Sequence, residues 1–264
     1  MFQLKARIAY NKKAGYKYRQ MGIIAPKIAR QGLPGQFLNV KIEGNSELLL
    51  RRPFSIHRVS GQKVEILYEV LGKGTQELSG KKAGEYLDII GPLGNGFDCC
   101  QLSAVSCQPI LVAGGMGVAP LIFLAEKLAQ CKAKGAQPKI SVLIGARGKG
   151  DILCEKEFKK LGCQVEIATD DGSRGFKGKV TGLLSDMLST VDCGLSAIYA
   201  CGPRPMLQEV SRISARRGIP AQVSLEEHMA CGIGACLGCA VNTSEGFKRV
   251  CKEGPVFKAE DIIW

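Results

Sequence analysis

The chain has 264 residues, 45% of them apolar and 23% charged, with 36 Lys and Arg against 24 Asp and Glu. That length accommodates two domains of ordinary size plus an appendage, and the apolar share excludes a disordered chain. The net charge of +12 admits nucleic acid, anionic cofactors or an acidic protein partner, but no Lys/Arg run exceeds two residues and no basic–aromatic interleaving occurs, so dinucleotides and a protein partner are expected and nucleic acid is not.

The N-terminal segment Met1–Gln20 carries Lys5, Arg7, Lys12, Lys13, Lys17 and Arg19 and lacks the apolar run of a secretory signal. Alternating or β-branched runs follow at Gln3–Tyr10, Gln36–Ile42, Lys63–Leu71 and Tyr86–Ile90, punctuated by Gly and Pro. Short strands with frequent turns predict an antiparallel barrel or sandwich over the first hundred residues. After Gln108 the rhythm changes. Strands are predicted at Pro109–Ala113, Ile140–Gly145, Val165–Ala168, Ala197–Ala200 and Ala221–Leu225. Helices are predicted between them at Pro120–Lys134, Glu155–Leu161, Thr181–Leu188 and Pro205–Arg217. This alternation predicts βαβ units and a parallel sheet. The most apolar stretch, Ile110–Ala125, is broken by Gly114, Gly115, Gly117 and Pro120 and is too short for a bilayer. No membrane span and a cytoplasmic location are therefore expected. Residues 226–264 break the rhythm again and read as a small third module.

Four motifs carry chemistry. Arg52-Pro53-Phe54-Ser55 offers a cation, a rigid turn, an aromatic face and a hydroxyl within four residues. Those groups suit a flavin with its pyrophosphate, although the tetrapeptide alone equally describes a surface Arg beside a core Phe. Leu67-Tyr68-Glu69 leads to Gly74-Thr75, a turn with backbone N–H groups and a hydroxyl that suit a phosphate. Gly114 is followed by Gly115-Met116-Gly117-Val118-Ala119-Pro120, which leaves a predicted strand and opens a predicted helix, the place where a dinucleotide pyrophosphate binds. Cys201-Gly202-Pro203 ends the fourth strand of the parallel set, the edge at which such sheets bind ligands. Thr169-Asp170-Asp171-Gly172-Ser173 ends the third and offers a ribose contact, and Arg147 and Arg174 are each either a partner for a 2′-phosphate or a surface cation.

Of the twelve cysteines, eight are scattered (Cys99, Cys100, Cys107, Cys131, Cys154, Cys163, Cys193 and Cys201) and read as small apolar residues. The other four are spaced C-x4-C-x2-C at Cys231, Cys236 and Cys239, with Cys251 after a gap of eleven residues. This is the plant-type [2Fe–2S] spacing with a short final gap. Zinc also accepts four thiolates, but its sites usually pair two C-x2-C arms and this chain has one. His57 and His228 are the only histidines, and no Ser–His–Asp or paired-carboxylate constellation supports hydrolysis.

The order of these motifs resembles the ferredoxin-reductase superfamily. With Arg51-Arg52-Pro53-Phe54-Ser55-Ile56, Gly91-Pro92-Leu93-Gly94-Asn95-Gly96-Phe97 and the tail from Glu226 to Cys239, the chain resembles the electron-transfer subunits of class 1B, NAD-dependent dihydroorotate dehydrogenases. The resemblance implies an antiparallel FAD-binding β-barrel (1–100), a parallel-sheet NAD-binding α/β domain (101–225) and a C-terminal [2Fe–2S] module (226–264). It implies FAD contacts from Arg52, Pro53, Phe54, Ser55, Leu67, Tyr68, Glu69, Gly74 and Thr75, with Phe54 where the superfamily usually has Tyr. It implies NAD contacts from Gly114, Gly115, Gly117, Pro120, Gly202 and Pro203, hydride transfer beside Cys201, and cluster ligation by Cys231, Cys236, Cys239 and Cys251. It also implies an FMN-containing catalytic partner in a two-plus-two heterotetramer, with electrons from dihydroorotate passing to NAD in pyrimidine biosynthesis. Two alternatives are a related small subunit of a ferredoxin–NADP, sulfide or sulfite reductase and, in a different class, a zinc-stabilised nucleotide-binding module without redox activity.

Overall fold

The computed structural model describes residues 1–42, 49–99, 108–130, 138–190 and 195–264. Cys100, Cys107, Cys131 and Cys193, and the end of the helix expected to reach Lys134, lie outside the described residues.

The first half is a seven-stranded antiparallel sheet, coiled as a half-barrel. Its strands are β1 (Phe2–Lys13), β2 (Tyr18–Ile24), β3 (Phe37–Lys41), β4 (Arg52–Ser55), β5 (Arg58–Ser60), β6 (Lys63–Glu69) and β7 (Tyr86–Leu93), in the order β4-β3-β7-β1-β2-β6-β5. Helices α1 (Pro26–Gln31) and α2 (Lys73–Gly80) are inserted. The sequence reading missed β2 and β5, because these strands do not keep a clean alternation of apolar and polar residues. It also read Gly74-Thr75 as a turn; the pair lies in the first turn of α2, where Thr75 Oγ1 accepts from the N–H groups of Leu71 and Gly72 at 2.9 and 3.2 Å.

The second half is a mixed sheet ordered β11-β10-β9-β8-β12-β13-β16. Its strands are β8 (Gln108–Gly114), β9 (Ser141–Ala146), β10 (Gln164–Thr169), β11 (Phe176–Lys177), β12 (Leu195–Cys201), β13 (Ala221–Ser224) and β16 (Val256–Lys258). The helices are α3 (Val118–Gln130), α4 (Glu155–Lys160), α5 (Val180–Thr190) and α6 (Arg204–Arg217). Strand β8 is buried from Pro109 to Gly114, as a parallel strand covered on both faces must be. Helix α6 ends at Gly218, left-handed at φ 64°, with Arg216 and Arg217 in the last turn facing the negative end of the helix dipole.

The three expected units are not separate bodies. Strand β16, from the C-terminal stretch, pairs antiparallel with β13 and so extends the nucleotide sheet. A hairpin of β14 (Ala240–Thr243) and β15 (Gly246–Arg249) carries the rest of that stretch. Phe123 of α3 packs into the core of the flavin sheet, and Phe37 of β3 shares a core with Cys239 and Cys251. The buried His57 donates from Nδ1 to the Ala119 carbonyl of α3 at 2.9 Å. No helix among the described residues is long and apolar enough to cross a membrane.

Candidate functional site

A cleft of about 1260 Å³ runs between the two sheets. Sites for one drug-sized ligand occupy roughly 300–1,000 Å³, so this one has room for more than a single small molecule. The flavin-sheet wall is formed by Phe37, Pro53, Phe54, Ser55, Leu67, Tyr68, Glu69 and Thr75, and the nucleotide-sheet wall by Gly114, Gly115, Gly117, Arg147, Asp170, Gly202 and Pro203. Glu226, Glu227, Met229 and Pro255 also line it.

On the flavin side, β4 runs antiparallel to β3 and brings Ser55 opposite Phe37 and Phe54 opposite Leu38. Phe54 also meets Tyr68 of β6 in a tilted ring pair, 5.6 Å between centroids. Tyr68 is buried, which raises its phenol pKa, and its hydroxyl donates to Asn11 Oδ1 at 3.1 Å. The Phe54 face and the Leu67 side chain thus give an apolar wall with polar groups at its ends. Arg52 and Gly74 do not line the cleft. They lie against each other behind Thr75: a Cβ on Gly74 would sit 3.2 Å from Arg52 Nε. A guanidinium beside a helix start concentrates positive potential, as an anionic group requires.

On the nucleotide side the glycines divide by task. A Cβ on Gly117 would run into the carbonyl of Cys201. One on Gly114 would meet Met206 Sδ at 2.6 Å and Pro203 Cδ at 2.8 Å, and one on Gly202 would meet Met206 Cε at 2.7 Å. These three let the ends of β8 and β12 close on each other. Gly115 is different. It has φ +54° and nothing within 4 Å of its Cβ position, so its bare backbone is offered to whatever enters the cleft. Pro120 is buried inside α3 and does not line the cleft.

Cys201 is 2% exposed, and burial raises its thiol pKa well above the ordinary range. The thiol does not line the cleft; Gly202 and Pro203 do. Of the Thr169–Ser173 segment, Asp170 alone reaches the cleft. Asp171 is turned back, accepting from Ser173 N at 2.9 Å. Arg147 lines the cleft, whereas Arg174 is paired with Glu155 at 2.8 Å on the surface. Sequence reasoning missed Lys17, Tyr18 and Asp151. Lys17 bridges Glu69 at 2.8 Å and Asp151 at 3.4 Å, and Tyr18 Oη donates to Asp151 at 3.2 Å, tying the two walls together. No motif marks these residues, because they come from three separate elements.

The four C-terminal cysteines stand as two pairs. Burial alone would raise the Cys231 thiol, but N–H groups of Ile233, Cys236 and Ala235 and the Cys236 thiol outweigh it and bring it down to about 6. The Ala235 N–H donates to Cys231 Sγ at 3.3 Å. Burial and the neighbouring Cys239 push Cys251 up to about 12, and the Cys251 N–H donates to Cys239 Sγ at 3.4 Å. Among the described residues, no three Cys, His, Asp or Glu side chains converge on a single metal ion. A dinuclear cluster asks instead for two thiolates per iron, and two pairs supply that donor set. Backbone N–H groups aimed at sulfur are the second requirement, and the Cys231 loop meets it.

A coiled antiparallel sheet and a parallel nucleotide sheet sharing one cleft, with paired thiols beside it, define an oxidoreductase of the ferredoxin-reductase type. A solved structure of an NADH-dependent reduced ferredoxin–NADP oxidoreductase superposes with a TM-score of 0.83 at 29% identity, covering 99% of this chain and 90% of that one. A ferredoxin–NADP+ reductase from Neisseria gonorrhoeae shares the fold alone, with a TM-score of 0.67 at 14% identity over 82% of this chain and 92% of that one. Residues 226–263 match the iron–sulfur cluster binding domain of dihydroorotate dehydrogenase B, and residues 111–212 match the oxidoreductase NAD-binding domain. The dihydroorotate dehydrogenase B (NAD(+)) electron transfer subunit of Desulforamulus reducens is 44% identical over 91% of this chain and 90% of its own length. That of Caldanaerobacter subterraneus subsp. tengcongensis is 40% identical over 100% and 99%. The chain belongs to the family of dihydroorotate dehydrogenase B (NAD(+)) electron transfer subunits.

Proposed function

We propose that this chain carries electrons between a catalytic subunit that oxidises dihydroorotate and NAD, with FAD on the flavin-sheet wall of the cleft, NAD on the nucleotide-sheet wall and a [2Fe–2S] cluster on the four C-terminal cysteines. The observation that carries this reading is the cleft itself. One continuous space is lined by the flavin motif and the glycine motif, and Met229, which also lines it, lies two residues before Cys231. The bound carriers supply one-electron exchange between cluster and flavin and hydride exchange between flavin and nicotinamide.

The chain's own residues bind and orient. Arg52 neutralises the flavin pyrophosphate beside the start of α2, and Ser55 presents a hydroxyl to the flavin ring. Phe54 and Leu67 give the ring an apolar bed, and Tyr68, Glu69, Gly74 and Thr75 frame the rest. Gly115 lets the dinucleotide pyrophosphate approach the start of α3, and Asp170 accepts from a ribose hydroxyl. Gly202 and Pro203 line the nicotinamide end, and Cys201 supports them from behind through its contact with Gly117.

The partner is an FMN-containing catalytic subunit in a two-plus-two heterotetramer, bound over the cluster. Cys236 is exposed, and Ile233, Leu237 and Phe247 of the same module are 44%, 63% and 80% exposed. Large apolar side chains gathered in one small module suit an interface core. Cys154, Cys163 and Cys201 are free thiols, which suits a reducing cytoplasm.

The test is Cys236→Ser in the assembled complex. It should abolish the visible and EPR spectrum of the cluster and stop dihydroorotate-dependent NAD reduction. NADH should still reduce the FAD of this chain. Undiminished dihydroorotate-to-NAD flow without a cluster would overturn the electron route.

A further inference from the structure

Strand β3 is apolar and buried: Phe37, Leu38 and Val40 are each 3% exposed or less. In the middle of it stands Asn39, 1% exposed. Its Oδ1 has no hydrogen-bond donor among the described residues. Burying an amide with half its capacity unmet costs free energy, so as packing alone Asn39 is worse than the apolar residue its neighbours lead one to expect. Among the described residues its side chain makes one hydrogen bond. Its Nδ2 donates to the backbone carbonyl of Cys231 at 3.1 Å, across 192 positions of sequence.

Three features mark that contact as built. Gly232 follows Cys231 at φ +68°, and a Cβ there would run into Asn39 Nδ2; glycine is what lets the loop descend onto the strand. Asn39 is the cross-strand partner of Pro53 in the flavin motif, and both Pro53 and Phe37 line the cleft. On the other side of the contact, Met229 lines the same cleft. Two residues span at most about 7 Å, so the backbone of Cys231 is held within that reach of the cleft wall. The far side of the loop is held from within its own module, where Arg249 Nη1 donates to the Gly234 carbonyl at 2.7 Å.

We propose that Asn39 is a positioning residue for the iron–sulfur cluster, its side-chain amide clamping the loop of the first cluster cysteine to the strand beside the flavin motif and so fixing the spacing of cluster and flavin. This rests on the reading of Cys231 as a cluster ligand. The clamp works on the flavin-facing edge of the loop, while the Arg249 contact steadies the loop within the module. Electron exchange falls steeply with distance, so a loop free to lift from β3 would slow it.

The test uses the full chain carrying FAD and cluster. Asn39→Leu removes the donor with little change in volume. Gly232→Ala wedges the same contact apart from the other side. Gly246→Ala, at φ +94° in the same module with nothing near its Cβ, controls for left-handed strain alone. Asn39→Leu and Gly232→Ala should each release the cluster to an iron chelator about fivefold faster, the equivalent of one hydrogen bond of roughly 1 kcal/mol. Both should broaden the EPR spectrum of the reduced cluster and slow cluster reduction after NADH has reduced the flavin. FAD content should be unchanged in both, and Gly246→Ala should behave as wild type. Wild-type release rates and EPR line shapes in both variants would overturn the clamp. Cys231→Ser separates the two readings: loss of the cluster keeps Cys231 as a ligand, and an intact cluster spectrum would overturn the ligand assignment beneath the proposal.

Discussion

The two walls of the cleft are built by different means. The nucleotide wall is made largely of backbone: Gly114, Gly117 and Gly202 exist so that two strand ends can touch, and Gly115 so that the chain can be approached. The flavin wall is made of side chains from three strands and a helix, Phe37 and Phe54 beside Leu67, Tyr68 and Thr75. A backbone-built site fails where a methyl group has no room, most of all at Gly117, whose nearest neighbours are main-chain atoms of Cys201 and Gly202. A side-chain-built site fails by degrees, as each group removed takes only its own contact.

The largest effect should therefore come from Gly117→Ala. The added methyl would meet the Cys201 carbonyl, main chain on both sides, and overpacking that cannot relax costs about 3 kcal/mol or more. Thermal melting should fall sharply and NADH should no longer reduce the flavin; an unchanged melting curve would show that the two strand ends can separate without cost.

Arg52→Ala tests the positive charge placed beside the side-chain wall. Losing a charge-assisted contact of roughly 1.5–3 kcal/mol should weaken FAD binding about 10- to 100-fold while the fold survives. FAD titration of the apoprotein measures this, and unaltered affinity would remove Arg52 from the site.

Gly115→Ala sharpens the contrast within the nucleotide wall. Its methyl meets nothing in the protein, so stability should fall only by the roughly 1–2 kcal/mol of a left-handed alanine. The KM for NADH should rise at least tenfold, because the methyl stands where the dinucleotide approaches. A stability loss equal to that of Gly117→Ala would erase the division of tasks between the two glycines.

The smallest effect lies at the seam. Burial lowers the pKa of His57, against its hydrogen bond to the Ala119 carbonyl. The unfolded chain, with an ordinary imidazole near 6.5, then takes up the proton first. The stabilising contribution is present above that value and is lost as pH falls below it, at no more than about 1.4 kcal/mol per pH unit. Melting temperatures of wild type and His57→Gln should thus converge between pH 7.5 and 5.5; parallel curves would show that the ring titrates alike in both states.

Much of this molecule is written locally. The strand–helix alternation after residue 108 is legible because a buried parallel strand is a short apolar run and each helix has its own period. The glycine motif is legible because close main-chain approach admits one residue type. The C-x4-C-x2-C spacing is legible because a short loop must bring its thiols together whatever surrounds it. Local pattern misled at Gly74-Thr75, where a turn and the first turn of a helix offer the same N–H groups, and it was silent on β2 and β5.

What the sequence determined alone, then, was the kind of parts: a strand-rich half with a flavin motif, a parallel nucleotide half and a cysteine loop. What only the tertiary structure decided was their assembly. Strand β16 returns to the nucleotide sheet, Lys17 and Tyr18 reach Asp151 across the cleft, the Cys201 thiol is buried behind the wall that it was expected to line, and Asn39 meets Cys231. The strand, the cleft bridge and the Asn39 contact each join residues far apart in sequence by ion pairs, hydrogen bonds or one strand register, and such contacts leave no period or spacing in the chain because they are chosen by how the folded surfaces meet.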